Sequence, residues 1–359
     1  MNSSRILWSI GQPNASSMLF AVGMLGVSLK QSQCNNDTNN KSSSSFDGLS
    51  PAPPIYIFRP NSSMEIAFDT RTRNPLYVLE HLVPKPGKAL QQQSDNNNSS
   101  AMKVKRINFY EEKSLPEEFR SRVSHYHKSG YDRGHLAAAS NYMHLSQEQV
   151  NDTFNMCNIS PQNHSMNGTI WAQLERWTQK MAQDNEHADT YVVSGPLWMP
   201  TRQTGEKQFE VRYPALGTPP TLVSVPTHFF KVVVAIPRHP HERTICKFAC
   251  FVIPNQDYVD NNASNKNKRR SLQDYLVPWS QLEAVLGFHL FPQLATNDWK
   301  EKANQLTYTI MITSGQRNHS LPLLTDGGNT STSSGSKKWR WGGPKSMEVA
   351  HFCAKGGCQ

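Results

Sequence analysis

Hydrophobic and polar positions divide the 359-residue chain into patterned stretches and polar interruptions. Four stretches, 75–82 (PLYVLEHL), 190–197 (TYVVSGPL), 227–237 (THFFKVVVAIP) and 247–254 (KFACFVIP), are rich in Val, Phe and Tyr and are stopped by Gly or Pro, which predicts strands. Helical spacing interleaves them. Ser146 with Gln149, and Ser280 with Glu283, have the S/T-x-x-E/Q form of a capping box. They predict one helix carrying Val150 and Phe154 and another carrying Leu282 and Leu286. A third helix, from about Met166, has Ile170, Trp171, Leu174, Trp177 and Met181 on one stripe, so one face packs on a sheet. Because strands and helices mix rather than alternate regularly, the expected class is α+β and not a doubly wound sheet.

The polar interruptions set the domain boundaries. Residues 31–54 are rich in Asn, Ser and Pro, a composition that does not offset the entropy of ordering. Inserts at 91–100 and 255–270 interrupt patterned sequence and read as surface loops grown within one domain. From about Ser314 the chain is rich in Ser, Thr and Gly. Ahead of the linker, residues 18–29 (MLFAVGMLGVSL) form an apolar run flanked by Arg5 and Lys30 with no acid among the first 30 residues. That run is shorter than the roughly 20 residues a membrane-spanning helix needs. It fits a mitochondrial presequence, a secretory signal or a weak anchor, and no stable transmembrane span is expected. The expected organisation is a targeting segment and linker at 1–54, one α+β domain at 55–313, and a low-complexity basic tail at 314–359.

Composition adds a partner class. Lys and Arg outnumber Asp and Glu, 37 to 28, for a net charge of +9. The excess favours a polyanion or an anionic membrane surface, although basic tails raise the total without forming a binding face. The six cysteines show no C-x-x-C pair and no regular spacing, so neither a zinc ribbon nor a dense disulfide framework is indicated.

Candidate chemistry concentrates in two segments. In YDRGHLAAASNY (131–142), Gly134 is expected to allow a tight or positive-φ backbone that turns His135 outward from a short strand end. Histidine is the side chain suited to take a proton at neutral pH. A solvated turn, or a His packed on the core, would use the same four residues. The second segment, NISPQNHSMNGTIWAQLE (158–175), spaces Asn158, Gln162, Asn167, Trp171 and Glu175 along a loop and into the third helix. On a regular helix the eight residues from Asn167 to Glu175 span two turns plus about 80°, so both can border one side of the helix start. A neutral amide oxygen with a nearby carboxylate suits a hard cation that keeps much of its water, such as Mg²⁺.

DRGHLAAASN followed by N-x3-Q-x4-N-x3-W-x3-E resembles the DNA/RNA non-specific endonuclease family of ββα-metal nucleases, and its mitochondrial branch in particular. The likeness extends over most of residues 60–295 and implies a central, mostly antiparallel sheet flanked by helices. It implies that His135 is the general base and Asn167 the direct protein ligand of one Mg²⁺, with Mn²⁺ as a substitute. It further implies that Glu175 holds metal-bound water, Arg133 contacts phosphate and Asn158 supports the site. Arg106, in KVKRINFYEE, is the candidate for a second phosphate-binding arginine upstream. DNA and RNA are the implied substrates, 5′-phosphate ends the implied products, a homodimer the implied assembly and the mitochondrion the implied compartment.

Rival readings use other residues. His125, His127, His135 and Cys157 offer a zinc site, but at no standard spacing. Sequons at Asn98, Asn158, Asn163, Asn167 and Asn318 would suit a secreted, glycosylated scavenging nuclease. Two of them fall on proposed site residues, where a glycan would destroy the site. KKWRW (337–341) would suit stacking on single strands or a solvated tail. A protein that binds nucleic acid without cleaving it remains the alternative from another class.

Overall fold

Along His228–Pro237 both sides of the strand are filled: Phe229, Val233 and Ala235 belong to one buried cluster, and Phe230, Val232, Val234 and Ile236 to another. Successive strand side chains face opposite ways, so a run apolar on both sides, with Lys231 its one charged position, means a sheet covered on both faces. The structure, a computed structural model, describes residues 54–82, 105–184, 188–237, 245–258 and 271–313, with positions 348–351, 353, 354 and 358 near the C-terminus. The targeting segment, the 91–100 insert, most of the 255–270 insert and the KKWRW stretch lie outside the described residues.

The chain supplies β1 (Ile55–Asn61), β2 (Met64–Asp69), β3 (Asn74–Leu82), β4 (Tyr131–His135), β5 (Ile159–Asn163) and β6 (Ala188–Leu197). There follow two short hairpins, β7 (Arg202–Gly205) with β8 (Gln208–Glu210) and β9 (Ala215–Thr218) with β10 (Thr221–Ser224). The long strands β11 (His228–Pro237) and β12 (Ile245–Pro254) come next, and β13 (Glu348–His351) closes the set. Seven of these form the central sheet in the order β1-β2-β3-β6-β11-β12-β13. Every pairing is antiparallel except that of β12 with β13. All four expected strands lie in it, so the predicted α+β class and mostly antiparallel sheet are found. The edge strand β13 comes from the segment expected to be a low-complexity tail. It pairs with Ile245–Phe248, and the Cys353–Cys358 disulfide follows it.

The helices agree with the pattern in part. Ser146 caps α1 (Gln147–Asp152), accepting from Gln149 N at 3.2 Å; the helix ends before Phe154, which is nevertheless buried. The second expected box does not form. Helix α3 (Trp279–Leu286) starts two residues early, with Pro278 at its N-cap in place of Ser280, so Ser280 lies inside it and exchanges hydrogen bonds with Asn304. Glu283 turns instead to Trp279 Nε1, Leu290 N and Lys300 Nζ. A proline preset at φ near −65° defines the helix entry without a hydroxyl cap. The 17-residue helix α4 (Asn297–Thr313) was not foreseen, although Trp299, Ala303 and Thr307 recur every four residues and are buried. Helices α3 and α4 cover one sheet face, while the other receives Trp171, just ahead of α2 (Ala172–Asp184), and Leu174 from α2 itself.

Candidate active site

Strands β4 and β5 pair from Tyr131↔Asn163 to His135↔Ile159, and the third helix follows β5 directly. The alternation of a strand places Arg133 and His135 on one face and Asp132 and Gly134 on the other. Gly134 does not have the expected positive φ; it sits in regular strand beneath the Gln162 side chain. A Cβ there would lie 2.1 Å from Gln162 Cδ, so the missing side chain, not backbone freedom, makes glycine necessary.

Phe109 joins the two residues on the outer face. The Arg133 guanidinium lies 4.8 Å from its ring centroid and the His135 ring 5.3 Å away. Phe154 meets His135 edge-on at 5.1 Å. The backbone of His135 is locked from below: its carbonyl accepts from Trp171 Nε1 at 3.2 Å. Asn158, fully buried, accepts from Ala137 N at 2.9 Å and donates to Ala137 O at 2.9 Å and Thr153 O at 2.8 Å. The chain leaving His135 is therefore pinned by one amide side chain.

The His135 Nε2 atom is buried and has no hydrogen-bond partner. Burial, with a smaller contribution from the Arg106 charge, lowers the imidazole pKa to about 4. The ring is thus neutral at physiological pH, with a lone pair available, and an arriving phosphate would oppose the arginine and raise its basicity. Arg133 and Arg106 are exposed, so both guanidinium groups stay open to solvent and ligands.

Asn167 opens a π-helical segment, Asn167–Trp171, between the helical turn His164–Met166 and α2. A π turn takes up about one residue more than an α turn, so the eight residues to Glu175 amount to roughly two turns, closer to in line than a regular helix would place them. The amide Nδ2 of Asn167 donates to Asp132 Oδ2 at 2.9 Å, and His164 Nδ1 reaches the same oxygen at 3.0 Å. This leaves Oδ1 as the unengaged end of the Asn167 amide. Burial raises the Glu175 pKa to about 7; Lys231 opposes that shift, Glu80 adds to it, and Trp171 and Arg176 lower it.

Two hard oxygen donors, Asn167 Oδ1 and the Glu175 carboxylate, fit a hydrated hard cation. Among the described residues no group of three or more His, Cys, Asp or Glu converges to hold a metal, so the zinc reading of His125, His127, His135 and Cys157 has no support. His125 accepts from Arg122 N and packs beneath Gly217. Roles for Asp132, Phe109 and Lys231 were missed. The one local signal for Lys231 is its position as a lysine in an otherwise apolar strand.

The sheet, the β4–β5 hairpin and the helix after it define a ββα nuclease. A model of the DNA/RNA non-specific endonuclease family matches residues 56–297, and the chain belongs to that family. It is 32% identical over 261 residues to the mitochondrial nuclease of Saccharomyces cerevisiae, covering 72% of this chain and 73% of that one. It is 31% identical over 251 residues to the mitochondrial endonuclease G of Bos taurus, covering 70% and 74%. Among solved structures, a crystal structure of the EndoG/EndoGI complex superposes with a TM-score of 0.52 at 28% identity, covering 66% of this chain and 86% of that one. The protein is accordingly a hydrolytic, non-specific endonuclease.

Proposed function

We propose that this endonuclease hydrolyses phosphodiester bonds of both DNA and RNA with Mg²⁺ as its cofactor and Mn²⁺ as a substitute. The observation that carries the reading is His135: a neutral imidazole with an unpartnered, buried Nε2, held by Asn158 and Trp171 beside two arginines. Nε2 accepts the proton of the attacking water, a role worth about 10² to 10⁴ in rate. Arg133, braced on Phe109, donates charge-assisted hydrogen bonds to the phosphate, and Arg106 adds a second positive charge. Asn167, through Oδ1, and Glu175, through water, would hold the cation. Once bound, it supplies charge stabilisation at the non-bridging oxygens and the departing 3′ oxygen. No group in this set reads a base edge, which accounts for low sequence preference, and 5′-phosphate ends follow from the resemblance.

The working organisation is a mitochondrial targeting segment and linker at 1–54, the nuclease domain at 55–313, and a basic tail at 314–359 whose last strand returns to the sheet. The mitochondrial address agrees with the names of the yeast and bovine relatives. No helix among the described residues is long and apolar enough to cross a membrane. A homodimer is the proposed assembly, and sedimentation of the purified chain decides it. The catalytic reading is tested by His135→Ala. Plasmid nicking is expected to disappear while salt-sensitive DNA binding persists; nicking at the wild-type rate would overturn the assignment.

A further inference from the structure

One side-chain amide joins the end of the central sheet to the β4–β5 hairpin. Asn255, the residue after β12, donates its backbone N–H to Thr227 O at 2.8 Å, just ahead of β11. Its Nδ2 donates to Pro226 O at 2.8 Å and to Pro161 O at 3.1 Å, and its Oδ1 accepts from Asn163 N at 2.7 Å. Pro161 and Asn163 lie in β5, which pairs with β4 in a sheet of two strands among the described residues. Carbonyl and N–H groups two residues apart point to the same strand edge, so Asn255 fills the edge that β4 leaves open, in the place of a partner strand's peptide group. The next residues extend the contact to the turn that leads to Asn167. Asp257 Oδ1 accepts from Asn163 Nδ2 at 2.9 Å, and the buried Tyr258 donates its N–H to Ser165 Oγ at 2.9 Å and its hydroxyl to Pro254 O at 3.0 Å. Asn163 in turn caps the helical turn, its Oδ1 accepting from Met166 N at 3.2 Å. Both ends of the Asn163 amide are thus held, and Asn167 directly follows Met166.

We propose that Asn255 is a positioning residue for the reaction: with Asp257 and Tyr258 it latches the end of β5 and the turn after it to the central sheet, and so fixes where the Asn167 amide stands. The proposal rests on the role given to Asn167 above. The hydrogen bonds of Asn255 run to backbone groups of β5 and of the sheet end, not to a reacting group. Asp132 orients the Asn167 side chain, while the latch holds the backbone from which that side chain projects. Mg²⁺ demands near-ideal geometry, and a site whose supporting groups let a ligand drift by about 1 Å is loosened. In sequence this segment reads as the start of a polar insert, yet its first residues reach back to the strand and turn beneath the site.

Asn255→Leu keeps a branched side chain and removes all three of its hydrogen bonds. In the full chain, three quantities are compared with wild type: the Mg²⁺ concentration for half-maximal plasmid cleavage, Mn²⁺ binding by electron paramagnetic resonance without nucleic acid, and DNA binding in EDTA. Both metal midpoints are expected to rise about tenfold while DNA affinity stays at the wild-type value. Wild-type metal midpoints in a folded Asn255→Leu, with only the melting temperature lowered, would mark a purely structural amide and overturn the proposal. An equal loss of DNA affinity would also overturn it, because the effect would then lie on the hairpin as a whole and not on the metal turn. Should Asn255→Leu not fold, Ser165→Ala removes the acceptor of Tyr258 N at the same turn without altering charge. Both midpoints are expected to rise there too, and wild-type midpoints count against the latch. Asn167→Ala separates the two readings: wild-type Mn²⁺ affinity in that variant sinks the role of Asn167 itself, whatever Asn255 does.

Discussion

Asn167 and Asp132 are joined by one hydrogen bond, Nδ2 to Oδ2 at 2.9 Å, which ties the first residue of the π segment to the strand that carries His135. An amide has two chemically different ends, and committing the nitrogen presents the oxygen. Asp132→Ala removes the acceptor and leaves the ring of His164 without its carboxylate partner. The Mg²⁺ concentration for half-maximal cleavage is expected to rise about 10- to 100-fold, the usual consequence of losing a group that orients a ligand. Metal titration of plasmid nicking checks this, and an unchanged midpoint would mean that Asn167 orients itself.

Asn158 satisfies three buried backbone groups at Ala137 and Thr153 at once. Asn158→Ala leaves them unpaired in a site closed to water, and should lower stability by about 2–4 kcal/mol. Urea denaturation reads the loss. Cleavage should fall with it even where the fold persists, since the released segment follows directly on His135.

Gly134→Ala should cost about 1–3 kcal/mol through overpacking against Gln162. Because the backbone there is ordinary strand, adding Gln162→Ala should recover part of that loss in thermal melts. A double variant no more stable than Gly134→Ala would point back to a backbone requirement.

Glu175 makes the metal-free protein pH-sensitive. Burial holds its pKa at about 7 in the folded protein, against the ordinary glutamate value of 4.5, so the native state holds the extra proton between those values. Stability therefore falls as pH rises from 4.5 through 7, by an amount on the order of 2–3 kcal/mol. In EDTA, Glu175→Gln is expected to melt higher than wild type at pH 8 and equally at pH 4. A wild-type advantage at pH 8 would contradict the direction of the shift. On the proposed function the site needs a carboxylate there, and a cost in stability is a common trade at functional positions.

The sequence by itself determined what depends on neighbours along the chain. Apolar runs such as THFFKVVVAIP specify strands because a two-sided core needs a hydrophobe at every position, and Lys231 is conspicuous as the exception. Ser146 and Gln149 cap a helix through contacts four residues long. The two motifs place His135, Arg133, Asn158, Asn167 and Glu175 in a recognisable order, and the family follows from them. Tertiary structure alone decided the rest. Ser280 and Glu283 carry the same local signal as the true cap, but Pro278 starts that helix and Glu283 finds partners up to 17 residues away at Lys300. Phe109 bridges Arg133 and His135 from a segment some 25 residues upstream, and Lys231 reaches Leu136 across 95 residues. The necessity of Gly134 comes from Gln162 on the neighbouring strand, not from its own dihedral angles. Periodicity and caps are legible because they arise within a few residues. The contacts around His135 and Asn167 arise only when folding brings distant segments together, and no local pattern encodes which segment will be adjacent.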